Sequence, residues 1–329
     1  MTVAPLDTAD DLVLRVAWLY HFEGLTQSEI AQGLELPRSR VIKLLRDALN
    51  SGTVSVQLSD PRYNGLKIEL ELKRRLGLKD AFVIPTPKQP QALVRLLGRA
   101  AAAYLPKIVR NGMTIGTAWG AALLETAKQF RPLSRRDMTV AMLMGGTPDS
   151  IPEVNPSDVA RLFAERLNGR MYYLCAPLVL EDPALRVLLL KDKSIRTPLV
   201  LARASNIALL GAGGTHPDAT LTSTGVISGA QLAELRAKGA VGDLLGRFYD
   251  LGGAPIRTEL DDRVVGLELA DLRQIALTVL VAGGPHKVMP ITGAIRGRYI
   301  NTLVTDEATA QALLELNTVQ CPRKEAAMT

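Results

Sequence analysis

The hydrophobic residues near the N-terminus recur at helical spacing. Residues 10–22 place Leu12, Val16 and Leu19 on one face of a helix, and Gly24 is a typical residue to end it. The pattern predicts an amphipathic first helix that stops shortly before residue 25.

Two further helices are predicted over residues 26–49. Thr26 and Glu29 have the spacing of a capping box at a helix start. The turn LELP then leads into a helix that stops near Gly52 and whose apolar frame is Val41, Leu44, Leu45 and Ala48. Three helices with this spacing, the last of them basic, predict a helix-turn-helix, which places one helix in the major groove of DNA.

Beyond residue 65, short apolar runs alternate with helical patterns. An amphipathic helix is predicted over 66–78, either within the second domain or as a linker helix that pairs with a second subunit. Strands are predicted at 81–85, 113–115, 139–144, 171–174, 207–210, 278–282 and 300–304. Helical patterns such as AALLETAKQF follow several of them, so the sequence predicts an α/β fold with a mostly parallel sheet, which binds ligands at the carboxyl ends of its strands.

The chain is therefore divided into two domains and their connections. Residues 1–58 are predicted to form a winged-helix-like DNA-binding domain, with a strand of a small wing at 53–58. The cluster SDPRYNG at 59–65 is interpreted as the linker. Residues 66–320 form the predicted α/β domain, and 321–329 the tail.

Composition restricts the class of protein. The 329 residues are 47% hydrophobic and 22% charged, which is typical of a globular chain with a sizeable core. We find neither a signal peptide nor an apolar run of about 18 residues that would span a membrane. Cys175 and Cys321 are the two cysteines, which fits a reduced cytoplasm better than a disulfide framework.

Charge is concentrated on the third predicted helix. Residues 1–60 hold five basic and eight acidic groups, yet four of the five cations lie within nine residues. This distribution favours a defined contact face for DNA over nonspecific coating. The predicted DNA-binding residues are Thr26, Gln27, Arg38, Ser39, Arg40, Lys43 and Arg46. The alternative is a basic, solvated face of an ordinary helical hairpin.

The turn before that helix departs from the usual helix-turn-helix pattern. Glu35 stands where glycine is common, so it is expected to adopt a left-handed conformation that is unfavourable for a residue with a side chain. Pro37 is expected in the first turn of the helix, where no backbone N–H is needed.

A glycine-rich loop follows the strand at 113–115. In GTAWG (Gly116, Thr117, Ala118, Trp119, Gly120), small residues precede a helix N-terminus, an arrangement that can bind an anion such as phosphate. The motif is neither a P-loop nor a dinucleotide fingerprint, so no cofactor is predicted. A simple tight strand–helix turn explains it equally well.

Other residues with candidate chemistry follow later strands. Asp243 in GAVGDLLGRFYDLGG could accept hydrogen bonds from sugar hydroxyls, or could be a helix N-cap on the surface. Lys287 follows Gly283 and Gly284 and could meet a phosphate as a point charge, or be solvated. His286 could line the same pocket, and the turns GG at 145–146 and GAGG at 211–214 add backbone-lined edges.

Several chemistries are not indicated. His21, His216 and His286 lack partners at metal-ligand spacing, and no nucleophile elbow GxSxG occurs. Asp261 and Asp262 resemble a carboxylate pair, but a turn or helix cap explains them better.

These motifs, in this order, resemble the SorC family (SorC/DeoR type) of sugar-binding transcriptional regulators over about residues 10–316. The blocks are AWLYHFEGLTQSEIAQGLELPRSRVIKLLRDA, IGTAWG, LCAPLVL, IALLGAG, GAVGDLLGRFYD, LDDRVVGLEL and AGGPHKVMPITGAIRGRYINTLVTDEATAQALL. The chain departs from the family at Glu35 and Pro37, and at His286, where relatives often carry Glu or another polar residue.

The resemblance implies a sugar-phosphate isomerase/deaminase-like effector domain that binds a phosphorylated sugar or polyol. Gly116 to Gly120 and Lys287 would hold the phosphate, and Asp243, Gly145, Gly146 and His286 the sugar. The resemblance also implies that the protein is a homo-oligomer, commonly a tetramer, which binds a palindromic operator. Its implied function is repression of a carbohydrate operon. One alternative is a sugar-phosphate isomerase or deaminase with an appended DNA-binding module, and Asp243 is the sole candidate for its general base. The other alternative is a DNA-binding protein that has no ligand.

Overall fold

The computed structural model describes residues 9–54, 63–147 and 155–318. The chain divides into two compact units, residues 1–60 and residues 61–329. Each unit has its own cluster of buried hydrophobic side chains. The described helices include none with the length and apolar content needed to cross a membrane.

The first unit contains three helices, as the hydrophobic spacing predicts. They are α1 (Ala9–His21), α2 (Gln27–Gly33) and α3 (Arg38–Asn50). Their small core joins Val16 of α1, Ile30 of α2, and Val41, Leu44 and Leu45 of α3. The arrangement confirms the helix-turn-helix.

The ends of α2 and α3 follow the sequence closely. The Glu29 backbone N–H donates to the Thr26 hydroxyl, and the Thr26 N–H donates to the Glu29 carboxylate at 2.7 Å, so the capping box is confirmed. Glu35 has a φ of 54°, the left-handed conformation that was predicted. Pro37 is the N-cap of α3, one position earlier than expected, and its carbonyl accepts from the Arg40 N–H.

The second unit alternates strands and helices. Its strands are β1 (Asp80–Ile84), β2 (Thr114–Thr117), β3 (Thr139–Met142), β4 (Arg170–Tyr172), β5 (Ile207–Leu210), β6 (Gly213–Gly214), β7 (Ala240–Leu244), β8 (Arg247–Asp250), β9 (Leu277–Val281) and β10 (Thr302–Asp306). Its helices are α4 (Tyr63–Leu76), α5 (Leu93–Ile108), α6 (Ala121–Gln129), α7 (Pro156–Leu167), α8 (Pro183–Leu189), α9 (Lys193–Arg203), α10 (Thr220–Ser223), α11 (Gly229–Ala237), α12 (Leu269–Leu272), α13 (Val288–Arg296) and α14 (Glu307–Thr318).

Among the described residues, seven strands form one parallel sheet in the order β1-β10-β9-β5-β2-β3-β4. The seven predicted apolar runs each overlap one of these strands, so the mostly parallel α/β fold is confirmed. From β2 the chain proceeds to β3 and β4 on one side, whereas β5, β9 and β10 lie on the other. The boundary between β2 and β5 is therefore a topological switch point, where such folds leave a crevice at the carboxyl ends of the strands.

A small antiparallel sheet, β6-β7-β8, was not predicted. It places Asp243 within β7, so the alternative reading of Asp243 as a surface helix cap is wrong. The β7–β8 turn uses Leu245 and Gly246, both with positive φ. A hairpin turn of this kind is normally recognised by Asn-Gly or Asp-Gly, and that signal is missing here.

The predicted boundaries between the two domains differ slightly from the observed ones. The helix predicted over 66–78 is α4, which begins at Tyr63, so the last three residues of the predicted linker 59–65 are helical. The remainder of that linker, most of the predicted wing strand at 53–58, and the tail 321–329 lie outside the described residues.

Candidate functional site

The exposed face of α3 carries four of the five basic residues of the first unit. Arg38, Arg40, Lys43 and Arg46 are exposed, while the apolar side of α3 packs into the core. None of these four cations pairs with a carboxylate of the described residues, so their charges remain available to a polyanion. Ser39 is also exposed, near the N-terminus of α3.

The other two predicted DNA contacts lie at the start of α2. Thr26 is exposed, but its hydroxyl is used by the capping box. Gln27 is the first residue of α2 and is half-buried. A helix N-terminus is a suitable place for a phosphate contact, because its backbone N–H groups lack partners within the helix.

In the second unit, a cavity of about 150 Å³ lies at the carboxyl ends of β2, β5 and β9. It occupies the switch point between β2 and β5, the place expected for a ligand in this fold. Its polar side chains are Thr220, Asp243 and Lys287, and its apolar side chains include Val94, Leu97, Trp119, Leu123, Leu221 and Val281.

Asp243 is a buried carboxylate in the wall of this cavity, with 3% of its surface exposed. One oxygen accepts from the Gly246 N–H at 3.1 Å, and no described residue donates to the other oxygen. Gly213 on β6 makes room for it, because a Cβ at Gly213 would overlap that second oxygen. Burial raises the pKa of Asp243 to about 6, although the Gly246 N–H and the Lys287 charge act in the opposite direction.

Lys287 faces the same cavity from the short 3₁₀ turn Pro285–Lys287. Its ammonium group donates to the Ala212 carbonyl at 2.6 Å. Burial lowers the pKa of Lys287, and the charge of Asp243 partly offsets this effect. An ammonium group has three donors, so two remain for a ligand in the cavity.

The GTAWG block contributes only its last two residues to the cavity lining. Trp119 and Gly120 line the cavity, and Gly120 precedes α6 with a φ of 130°. Gly116 and Thr117 are buried within β2, and Ala118 donates its N–H to the Leu209 carbonyl. The Thr117 hydroxyl is buried without a hydrogen-bond partner in the described residues. We therefore locate any anion contact of this block at Trp119, Gly120 and the start of α6.

Three residues predicted to contact the sugar lie outside this lining. Gly145 and Gly146 follow β3 and donate their N–H groups to the Val265 and Ala176 carbonyls. His286 lies in a neighbouring open depression, where its ring centroid is 5.5 Å from that of His216. The structure thus brings Asp243, Lys287, Trp119 and Gly120 together in the cavity lining, which Gly145, Gly146 and His286 do not join.

Sequence reasoning missed the apolar walls of the cavity. Leu97 on α5 and Leu221 on α10 are almost fully buried and face the cavity, as does the neighbouring hydroxyl-bearing Thr220. In the sequence these leucines read as ordinary core positions of helices. No motif distinguishes them, because their role depends on where α5 and α10 lie against the sheet.

The described residues include no group of three or more His, Cys, Asp or Glu side chains that could hold a metal ion. Asp261, one of the two adjacent carboxylates, accepts from the Thr258 N–H and pairs with buried Arg247 at 3.2 Å. It holds a turn, as expected.

Comparisons with known proteins agree with this combination of helix-turn-helix and cavity. The family model Sugar-bind, a sugar-binding domain, matches residues 60–315, and the model Sigma-70, region 4, matches residues 4–51. The transcriptional regulator YjhU of Escherichia coli K12 is 31% identical over 93% of this chain and 94% of its own. The Deoxyribonucleoside regulator of Bacillus subtilis is 32% identical over 92% and 97%.

A similar full-length structure is the sorbitol operon regulator SorC of Klebsiella pneumoniae. The match covers 94% of this chain and 99% of the SorC chain, with a TM-score of 0.73 and 26% sequence identity. Fold and site together define a DNA-binding regulator with a sugar-binding domain. The chain belongs to the SorC family of sugar-binding transcriptional regulators. The matched relatives are named as regulators, and as a member of their family the chain is a transcriptional regulator.

Proposed function

We propose that the protein represses a carbohydrate operon and is controlled by a phosphorylated sugar or polyol that binds between Lys287 and Asp243. The observation that carries this proposal is that a buried carboxylate and a lysine face one cavity without pairing with each other. The free carboxylate oxygen suits a sugar hydroxyl, and the ammonium group suits a phosphate.

The names of two relatives refer to sorbitol and to deoxyribonucleosides, which supports a sugar or polyol as the ligand, and the phosphate group is argued from Lys287. We assign residues 1–58 to DNA binding, 59–65 to the linker and 66–320 to effector binding and assembly, with 321–329 as a tail. In this proposal the protein acts in the cytoplasm as a homo-oligomer, a tetramer, on a palindromic operator. The predicted contacts on α2 and α3, from Thr26 to Arg46, read that operator.

Regulation requires that the effector bind two states of the protein with different affinity. A ligand that bound both states equally would leave operator affinity unchanged. The proposal is therefore tested by operator affinity with and without effector, and not by ligand binding alone.

The experiment begins with thermal shifts in sorbitol, sorbitol 6-phosphate, 2-deoxyribose and 2-deoxyribose 5-phosphate. We expect the phosphorylated compounds to raise the melting temperature more than their unphosphorylated counterparts. The best compound is then added to operator-binding reactions with Lys287→Ala and with Lys238→Ala. Lys238 is exposed on the C-terminal side of α11, where its ion pair with Glu234 is on the surface, so it is a matched control.

We expect Lys287→Ala to lose most of the effector response and Lys238→Ala to keep it. An unchanged response in Lys287→Ala would exclude the phosphate role of this lysine. A larger thermal shift with the free polyols than with their phosphates would exclude a phosphorylated effector.

A further inference from the structure

The turn that precedes Lys287 is held in place by a buried series of hydrogen bonds. The Gly284 N–H donates to the Thr309 hydroxyl at 2.7 Å, and that hydroxyl donates to the Asp306 carboxylate at 2.5 Å. A hydroxyl has one hydrogen, so the Thr309 hydroxyl that donates it to Asp306 accepts from the Gly284 N–H, and the direction of both hydrogen bonds is fixed.

Asp306 is the centre of this cluster, at the carboxyl end of β10. It is 1% exposed and has no cationic partner among the described residues. Its carboxylate also accepts from the Thr86 hydroxyl at 2.7 Å and from the Gly284 N–H at 3.2 Å. Hydrogen bonds therefore satisfy the oxygens of this carboxyl group, and breaking one of them leaves a buried polar group poorly satisfied.

The cluster contacts the turn that leads from β9 to Lys287. Gly283 lines the cavity, and a Cβ there would lie 2.5 Å from the Asp306 carboxylate, so the turn rests directly on the cluster. The Gly284 carbonyl in turn accepts from the Lys287 N–H at 2.9 Å. Gly284 is thus bonded to the cluster through its N–H and to Lys287 through its carbonyl.

We propose that Asp306, acting through Thr309 and Gly284, is a positioning residue that fixes Lys287 for the phosphate of the effector. This inference rests on the proposed function, since it needs a phosphate in the cavity. Asp306 itself does not touch the ligand, because its oxygens are occupied by Thr86, Thr309 and Gly284.

A purely structural role is the competing explanation. Asp306 precedes α14 and accepts from the Thr309 N–H at 3.4 Å, so the same cluster also caps that helix. Loss of a cap would lower stability without changing ligand affinity in the molecules that remain folded. Ligand affinity therefore separates the two roles.

The test uses Thr309→Val, which keeps the shape of the side chain and removes the hydroxyl. Thr309→Ser restores the hydroxyl and serves as the conservative variant. Thr305→Val is the matched control, because the Thr305 hydroxyl on the preceding strand is also buried but has no partner in the described residues. The dissociation constant for inorganic phosphate is measured on the full chain by fluorescence of Trp119, which lines the cavity, after Trp18→Phe.

We expect Thr309→Val to weaken phosphate binding about tenfold, because an oriented hydrogen bond to a buried group is lost. Thr309→Ser and Thr305→Val are expected to stay within twofold of the parent. If Thr309→Val does not fold, Asp306→Asn is measured in its place, with the same expected direction. Unchanged phosphate affinity in the folded variant, or equal weakening in Thr305→Val, would overturn the positioning role. Absence of binding of both inorganic phosphate and sugar phosphates to the parent protein would instead overturn the proposed function.

Discussion

Asp243 and Lys287 line the same cavity but do not form an ion pair with each other. Asp243 accepts from the Gly246 N–H, and Lys287 donates to the Ala212 carbonyl. Two opposite charges that face one space without pairing leave that space open to a ligand with both hydroxyl and anionic groups. Such an arrangement lowers the stability of the empty protein, and this has measurable consequences.

The first consequence is that the buried Asp243 carboxylate lowers the stability of the folded protein, by an amount that depends on pH. Burial raises the pKa of Asp243 to about 6 from its ordinary value of 3.8. Below pH 3.8 the carboxyl is protonated in the folded and unfolded states and contributes nothing. Between pH 3.8 and 6 the unfolded chain loses the proton first, so stability falls as the pH rises, and above pH 6 the cost is constant.

We therefore expect Asp243→Asn to stabilise the protein by about 1–3 kcal/mol at pH 7.5 and to have little effect near pH 4. Urea unfolding of both proteins across this range measures the difference. A stability difference that grows towards acid pH would contradict the raised pKa. The same variant is expected to lose sugar binding, because the amide is a poorer acceptor for ligand hydroxyls than the carboxylate.

Gly213 is predicted to be intolerant of any side chain. A Cβ at this position would overlap the Asp243 carboxylate, so Gly213→Ala must displace either β6 or Asp243. We expect a loss of about 1–3 kcal/mol in the free energy of unfolding. Effector-induced release of operator should also be lost, while operator affinity without effector is retained.

Gly229→Ala is the matched control for that substitution. Gly229 is the first residue of α11, and a Cβ there meets nothing within 4 Å. We expect stability within about 0.5 kcal/mol of the parent and an unchanged effector response. Equal damage from both substitutions would mean that the cavity wall is not what Gly213 preserves.

The exposed cations of α3 are predicted to carry operator affinity. We expect Arg40→Ala and Lys43→Ala to weaken binding to an operator fragment selected from a random library. A residue that contacts phosphate should lower the salt slope by about 1, whereas a residue that reads a base should relax the preference at one position. Fluorescence anisotropy over a range of salt concentrations distinguishes these outcomes.

Arg15→Ala removes the same charge from an exposed position on α1 and provides the comparison. It is expected to leave operator affinity within about twofold of the parent. If Arg40→Ala and Lys43→Ala also bind normally, α3 is not the recognition helix.

Glu35 is predicted to be a site where glycine stabilises the first unit. Its φ of 54° is unfavourable for a residue with a Cβ, and it makes no ion pair with the described residues. We expect Glu35→Gly to raise stability by about 1 kcal/mol and Glu35→Ala to give no such gain, since alanine keeps the Cβ. Thermal unfolding of the two variants makes this comparison directly, and equal stability would argue against backbone strain.

The sequence predicted the helices of the first unit and the parallel sheet well. Apolar residues at helical spacing, such as Val41, Leu44 and Leu45, must be buried together, so α3 follows from local pattern alone. The parallel strands are equally readable, because a strand covered on both faces is a continuous apolar run, as in β5. The hairpin that carries Asp243 was missed, since its Leu-Gly turn carries no usual sequence signal.

The sequence by itself thus determined which residues could carry the chemistry: the cations of α3, the carboxylate Asp243 and the ammonium group of Lys287. Tertiary structure decided which of them meet. Asp243 and Lys287 are 44 positions apart in sequence and share a cavity only because β7 and the turn after β9 meet at the sheet edge. Likewise, the Gly284 N–H bonds to Thr309 and Asp306, which lie 25 and 22 positions further along the chain, so local spacing does not encode these contacts.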